Sequence, residues 1–182
     1  MSAKLLDGKG ISKEIQKETK VKVEQFIADH GKTPVLAAVL VGDDPASQVY
    51  VRNKERACAR AGIESQLHRL PATSTTEDIL AKVVELNENS QVNGILVQLP
   101  LPDQADSRVI LDAIDPQKDV DAFHPHNVGL ISQGRPQFLP CTPHGIVQML
   151  KRCGIETSGK SICIIGRSDI VGKPMAMMLG QK

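Results

Sequence analysis

Tryptophan is absent, and Tyr50, Phe26, Phe123 and Phe138 are the only aromatic residues (Phe, Trp, Tyr) among 182. So few rings leave no platform on which bases could stack. Charge of one sign is also lacking, since 22 basic and 21 acidic residues are interspersed and the net charge is +1. Without a basic stripe to neutralise a run of phosphates, nucleic acid is excluded as a partner. No apolar run approaches the roughly 18 residues that a membrane helix needs, and the opening MSAKLLDGKGISKEI has no apolar stretch of the secretory kind. The chain therefore reads as cytoplasmic, with no membrane partner. Cys58, Cys141, Cys153 and Cys163 form no CxxC pair, so they read as reduced thiols rather than a disulfide frame or zinc site.

What is there alternates between strand and helix. Apolar residues make up 41% and charged residues 24%, an ordinary composition for a globular chain. Ser12 is placed to cap a helix running to about His30, because Ile15, Thr19, Val23, Phe26 and Ile27 share one face and Gly31 follows. Val35 to Val41 (VLAAVLV) is a continuous apolar run between Pro34 and Gly42, the pattern of a parallel strand covered on both faces. A helix from Ala46 to Ala61, a strand from Ile63 to Leu70, a helix from Thr75 or Thr76 to Asn89 and a strand from Gly94 to Gln98 follow. A short helix is expected over Arg108 to Ile114. Asp115 to Pro140, rich in Pro, Gly, Asp, Asn and His, reads as irregular and as a natural pocket wall. Thr142 with Pro143 signals a helix start. Lys160 to Ile165 (KSICII) is then expected as a strand, leading through GRSDIVGKP into a helix that still runs at Lys182. The rhythm predicts an α/β fold, with a three-layer substrate domain over residues 1–139 and the start of a Rossmann-type domain over residues 140–182.

Four constellations carry possible chemistry. Ser47, Tyr50 and Lys54 in PASQVYVRNK are spaced by three and four, which puts them on one helical face. An amine against an apolar wall loses solvation and gains the ability to move protons near neutrality; the same spacing also describes a surface lysine beside a half-buried tyrosine. Gln98 falls at the carboxyl end of a parallel strand, the edge where α/β sheets bind ligands, and equally suits the capping of loop backbone. Asp119, Asp121, His124 and His126 cluster in KDVDAFHPHNVG. No helical metal-ligand spacing accompanies them, so no metal is assigned; a carboxylate accepting bonds from a heterocycle's amino group is the more economical role. In GRSDIVGKP, Gly166 and Gly172 allow a turn and a close backbone approach before a helix N-terminus, where phosphate is favoured, and Arg167 is placed for an additional phosphate.

Together, YVRNK, GILVQLPLP, KDVDAFHPHNVG, PCTPHGI and GRSDIVGKP stand in an order and spacing that resembles the methylenetetrahydrofolate dehydrogenase/methenyltetrahydrofolate cyclohydrolase family. The resemblance covers essentially the whole chain. It implies NADP-dependent oxidation of 5,10-methylenetetrahydrofolate to the 5,10-methenyl form, and hydrolysis of that cation to 10-formyltetrahydrofolate. By the same resemblance Lys54 is the central acid/base, with Gln98 contacting it. Tyr50 lines the pterin site, Asp121 anchors the pterin's amino edge, and Ser47, Val97 and Leu99 complete the substrate contacts. Gly166, Arg167, Ser168, Ile170, Gly172 and Pro174 hold NADP. A cytoplasmic homodimer is also implied.

Two departures from the family stand out. Ala122 follows Asp121 where the family has glycine, so a backbone position that prefers glycine is expected to be strained or shifted. The family's proteins also continue past this sequence, completing the nucleotide domain, and a C-terminally truncated form is expected to be less stable than the whole. Two further readings remain open at this point: a folate-binding fragment without turnover, and a different two-domain dehydrogenase acting on an amino-acid-like substrate.

Overall fold

The computed structural model describes residues 5–181. Two compact units emerge: Gln16–Val120 is one, and the described residues up to Ile15 and from Asp121 onward make the other. No helix among the described residues is long and apolar enough to cross a membrane.

The first unit is built on a parallel sheet of three strands, β1 (Val35–Val41), β2 (Glu64–Leu70) and β3 (Gly94–Val97), in the order β2-β1-β3. The register runs from Val35 beside Glu64 to Val41 beside Leu70, and from Leu36 beside Gly94 to Val39 beside Val97. β1 is central, which is why its sequence is apolar throughout. Its odd residues Val35, Ala37, Val39 and Val41 join Ile95 and Val97 in one core with Ile79, Val83 and Leu86 of α3 (Thr76–Glu88). Ile110 of α4 (Ser107–Asp112) completes that face. Ala38 and Leu40 point the other way and are also buried. On β1 and β2 packs α2 (Pro45–Ala61), which turns Val51, Cys58 and Ala61 inward. Burial pushes the Cys58 thiol up from its ordinary value, so it stays protonated and inert. β2, at the edge, is polar (ESQLHRL) as edge strands tend to be.

β3 is short and entirely buried, and a loop rather than a full strand protects its outer side. Ile95 N donates to Lys118 O at 2.7 Å, and Asp119 forms a parallel bridge with Ile95. Val120 comes so near that a Cβ on Gly94 would lie 2.5 Å from its Cγ1, so glycine lets the loop lie this close without moving that side chain. Because all three strands are parallel, the segments after them leave from one edge. They are tied there: Gly42 N donates to Leu70 O at 2.9 Å, Gln104 Nε2 donates to Ala72 O at 2.7 Å and Ser74 O at 3.0 Å, and Asp106 N donates to Thr76 Oγ1 at 2.9 Å.

Several expected boundaries move, each for a local reason. Helix α1 (Gly8–His30) begins before Ser12, because Asp7 caps it by accepting Gly10 N at 3.0 Å. Asp44 starts α2 at Pro45, one residue ahead of Ala46. Thr75 caps α3 in a reciprocal box with Asp78. α4 ends at Asp112, short of Ile114.

In the second unit, the stretch expected to be irregular contains helix α5 (Pro125–Ser132). His124 Nδ1 accepts His126 N at 3.0 Å, Pro125 takes the first helical position, and Asn127 and Ile131 are buried. α6 (Cys141–Arg152) starts after Pro140, so Thr142 lies inside the first turn and is not its cap; Pro143 is tolerated there because first-turn amides have no helical partner. The expected strand Lys160–Ile165 is not one. Among the described residues no strand lies beside it to supply ladder bonds, and Ile165 is 100% exposed. The last helix, α7 (Gly172–Leu179), ends before Gly180 rather than continuing; Lys182 lies outside the described residues. α5 and α6 both pack on α7, and Gln181 Nε2 donates to Ile131 O.

Candidate active site

The site grows from the start of α2. Asp44 Oδ2 accepts Ser47 N at 2.7 Å, and Pro45 fixes the first helical turn. The Ser47 backbone amide, then its hydroxyl, hold the Asp44 carboxyl below the usual carboxylate range. Ser47 itself is buried, its polar groups given to this cap. One turn on, Tyr50 is 62% exposed, with its ring open to solvent. Another turn brings Lys54 to the margin of the buried stripe, half-buried.

Gln98 reaches the same place from the sheet. Its backbone N donates to Val39 O at 2.9 Å, continuing the ladder one residue past β3, before the cis Leu99-Pro100 bond turns the chain away. Its side-chain Nε2 donates to Leu99 O at 2.6 Å, which fixes the amide plane and leaves Oε1 to accept Lys54 Nζ at 3.0 Å. Two residues 44 positions apart are thus joined at the carboxyl edge of the sheet. An amine oriented by a non-titrating amide can carry protons to and from a ligand at a defined position. Val97 is buried as part of the core and Leu99 is half-buried.

Asp121 is half-buried and is where the chain returns to the second unit. Ala122, next to it, has φ 56°, the only left-handed non-glycine among the described residues, and is buried. The rest of that motif serves the fold: Asp119 is buried at the bridge to β3, and His124 caps α5.

In the segment before α7, Ser168 Oγ accepts Val171 N and Gly172 N, each at 3.2 Å, and Ser168 O accepts Lys173 N at 3.0 Å. The loop folds so tightly that a Cβ on Gly172 would lie 2.5 Å from Gly166 O, and Gly166 itself has φ 150°. Gly172 and Pro174 are buried, while Gly166, Arg167 and Ile170 face outward. Lys173 pairs with Asp169 across one turn. The sequence signalled the two glycines but not the structural work of Ser168, or of Asp44, whose only trace was its place before proline.

The model for the catalytic domain of tetrahydrofolate dehydrogenase/cyclohydrolase matches residues 6–121. The chain belongs to this family. The model for the NAD(P)-binding domain of tetrahydrofolate dehydrogenase/cyclohydrolase matches residues 140–182. Among curated tetrahydrofolate dehydrogenase/cyclohydrolase relatives, the bifunctional protein FolD of Rhodopirellula baltica is 65% identical over 188 residues, covering 100% of this chain and 63% of its own length. Among solved structures, the bifunctional FolD methylenetetrahydrofolate dehydrogenase/cyclohydrolase of Campylobacter jejuni is 48% identical with a TM-score of 0.94, over 98% of this chain and 63% of that one. The FolD of Trypanosoma brucei, solved with NADP cofactor and inhibitor, is 36% identical with a TM-score of 0.94, over 99% of this chain and 62% of that one. The chain thus spans a little under two thirds of the relatives it matches.

Proposed function

We propose that this chain carries the folate site of an enzyme that oxidises 5,10-methylenetetrahydrofolate with NADP and hydrolyses the 5,10-methenyl product to 10-formyltetrahydrofolate. The observation that carries the reading is the Lys54 Nζ to Gln98 Oε1 bond of 3.0 Å at the carboxyl edge of a parallel sheet. In the hydrolytic step, water adds to the methenyl carbon, Lys54 Nζ takes a proton from it, and the bond from that carbon to N5 breaks. That proton passes to N5, the remaining hydroxyl proton is released to solvent, and the water oxygen stays as the formyl oxygen. Gln98 orients the Lys54 amine and Tyr50 offers its exposed ring to the pterin, while the family resemblance gives Asp121 the pterin's amino hydrogens. Ser47, Val97 and Leu99 frame the same site.

For the nucleotide, Gly166, Arg167, Ser168, Ile170, Gly172 and Pro174 would hold NADP. The fit rests on the close approach at Gly172 and on the exposed Arg167 guanidinium, which faces outward where a phosphate can reach it. Bound there, the cofactor would supply a hydride acceptor for the methylene carbon. The NADP reported with the Trypanosoma brucei relative supports this choice of cofactor. A functional division at residues 139 and 140, a homodimer, a cytoplasmic location and a role in supplying one-carbon units to purine, methionine and histidine synthesis belong to the same reading.

A second reading is a folate-binding fragment without turnover. One assay separates them: the decay of methenyltetrahydrofolate absorbance, without nucleotide, in this chain and in Lys54→Met. Decay above buffer that Lys54→Met loses supports hydrolysis at Lys54. Folate binding by a folded chain with no decay above buffer supports the fragment.

A further inference from the structure

The side chain of Lys118 forms three hydrogen bonds that the reaction does not use. Its Nζ donates to Leu86 O at 3.1 Å, Asn87 O at 2.7 Å and Asn89 O at 2.9 Å, spending all three protons on the carbonyl end of α3. That end has no basic residue of its own and no glycine stop, since its cap is Asn89. An ammonium there meets both the orphan carbonyls and the negative end of the helix dipole.

The backbone of Lys118 faces the other way. Its carbonyl accepts Ile95 N at 2.7 Å, in the middle of β3, and the following residue bridges Ile95. The turn holding Lys118 in this double role is itself braced. Lys118 N and Asp119 N both donate to Asp115 O, at 2.8 and 3.0 Å, and Asp115 N donates to Asn87 Oδ1 at 2.9 Å. The Asn87 amide also donates to Ala113 O at 2.8 Å. Three residues after Ile95 the strand delivers Gln98 to Lys54. A rigid line of bonds therefore runs from the end of α3, through Lys118, into the strand that aims the Gln98 amide.

We propose that Lys118 is a positioning residue for the Lys54–Gln98 pair, setting the outer side of β3 and with it the place of Gln98 Oε1. The inference deepens the reading of Lys54 as the proton carrier and rests on it for its functional meaning. It predicts that loss of the Lys118 ammonium moves the Gln98 amide, whereas an equal loss of stability elsewhere in the same unit does not.

The test follows the Gln98 side-chain amide by 1H–15N NMR in the labelled chain, its signals assigned by their loss in Gln98→Met. Lys118→Met is compared with Val23→Ala, a buried residue of α1 in the same unit. The expected result is a shift of the Gln98 signals in Lys118→Met comparable to that in Lys54→Met, largely restored in Lys118→Arg and absent in Val23→Ala. A Lys118→Met shift no larger than that of Val23→Ala overturns the proposal and leaves Lys118 a helix cap alone. Should Lys118→Met fail to fold, Lys118→Gln takes its place in the same comparison. In the hydrolysis assay Lys118→Met should lower kcat by about tenfold with KM changed less than about twofold, the signature of a misplaced catalytic group. A parent chain without hydrolysis would remove the reading of Lys54, while the NMR comparison still decides the role of Lys118.

Discussion

Gly172→Ala is the substitution whose outcome the geometry specifies most sharply. The new methyl would meet Gly166 O at 2.5 Å, Gly166 C at 2.6 Å and Arg167 N at 2.8 Å, all backbone atoms with no rotamer to yield. Restoring ordinary contact requires the Gly166–Arg167 peptide to retreat by roughly 1 Å, and overpacking of this kind costs about 1–3 kcal/mol. Retreat also stretches the bonds from Val171 N and Gly172 N to Ser168 Oγ, already 3.2 Å long, each worth about 1 kcal/mol. For a chain of this size each kcal/mol lowers Tm by roughly 2–4 °C. The assays are thermal unfolding by circular dichroism and equilibrium titration with NADP. Gly172→Ala should melt several degrees lower and, if this loop holds the phosphates as proposed, bind NADP at least about tenfold more weakly. Gly145→Ala is the control: it lies within α6 with nothing within 4 Å of its added methyl, and should gain about 0.5–1 kcal/mol from the better helix former. If Gly172→Ala matched the parent in both Tm and affinity, the close approach would not be what demands glycine.

Three more expectations follow from particular residues. At Ala122 the left-handed backbone costs an L-residue about 1–2 kcal/mol, and glycine there would regain this but lose a buried methyl worth about 0.8 and backbone entropy of about 0.5–1 kcal/mol. Ala122→Gly should therefore shift Tm by only a few degrees, whereas the β-branched Ala122→Val should lower it steeply; equal melting of the two would refute the strain. His68 on β2 is held below its ordinary histidine value by burial first and by the Lys82 charge second, with Glu85 opposing, and its Nε2 is buried without a partner among the described residues. Its unfolded form takes up a proton near pH 6.5 and its folded form only at lower pH, so its contribution is present above about 6.5 and is lost as the pH falls from there through the folded value. Urea titrations of His68→Gln between pH 7 and 5 should show a flatter dependence than the parent. Asp44, with its carboxyl lowered by the Ser47 bonds, contributes above about pH 4 and loses that contribution as the pH falls through its folded value; Asp44→Asn should keep the cap and remove this acid limb of the curve.

Where the sequence was legible, short-range physics and the final structure agree. VLAAVLV could only be a doubly covered strand, and Lys54 and Tyr50 had to share a flank of α2 whatever lay around them. The meeting of Lys54 with Gln98 was not in the spacing, because it depends on how α2 packs on the sheet; the family resemblance supplied it. KSICII shows the opposite failure. Its apolar, β-branched composition asks for a strand, but a strand exists only with a partner, and propensity cannot supply one. α5 was hidden because its cap is a histidine, a residue that turn and capping rules seldom assign to that task, inside a segment whose prolines and glycines read as irregular. Lys118 gives no signal in KDVD, since nothing local shows that three carbonyls from the end of α3 converge on it.

Parallel strands that all empty onto one edge also make this unit a frame for change. The segments after β1 and β3 carry Lys54 and Gln98, the pair proposed to act on the substrate, while most of the hydrophobic core lies behind them and only Leu101 and Ala105 of the third segment pack against it. A library that varied these segments while keeping Leu101 and Ala105 would change which ligand is accepted without reopening the core. Gln104 sets the limit, because its amide ties the third segment to Ala72 and Ser74 of the second. Those two segments would have to be exchanged as a pair, and the first varied only with Gly42 kept, since Gly42 N is bonded to Leu70 O and a Cβ there would lie 3.3 Å from Ala72 Cβ.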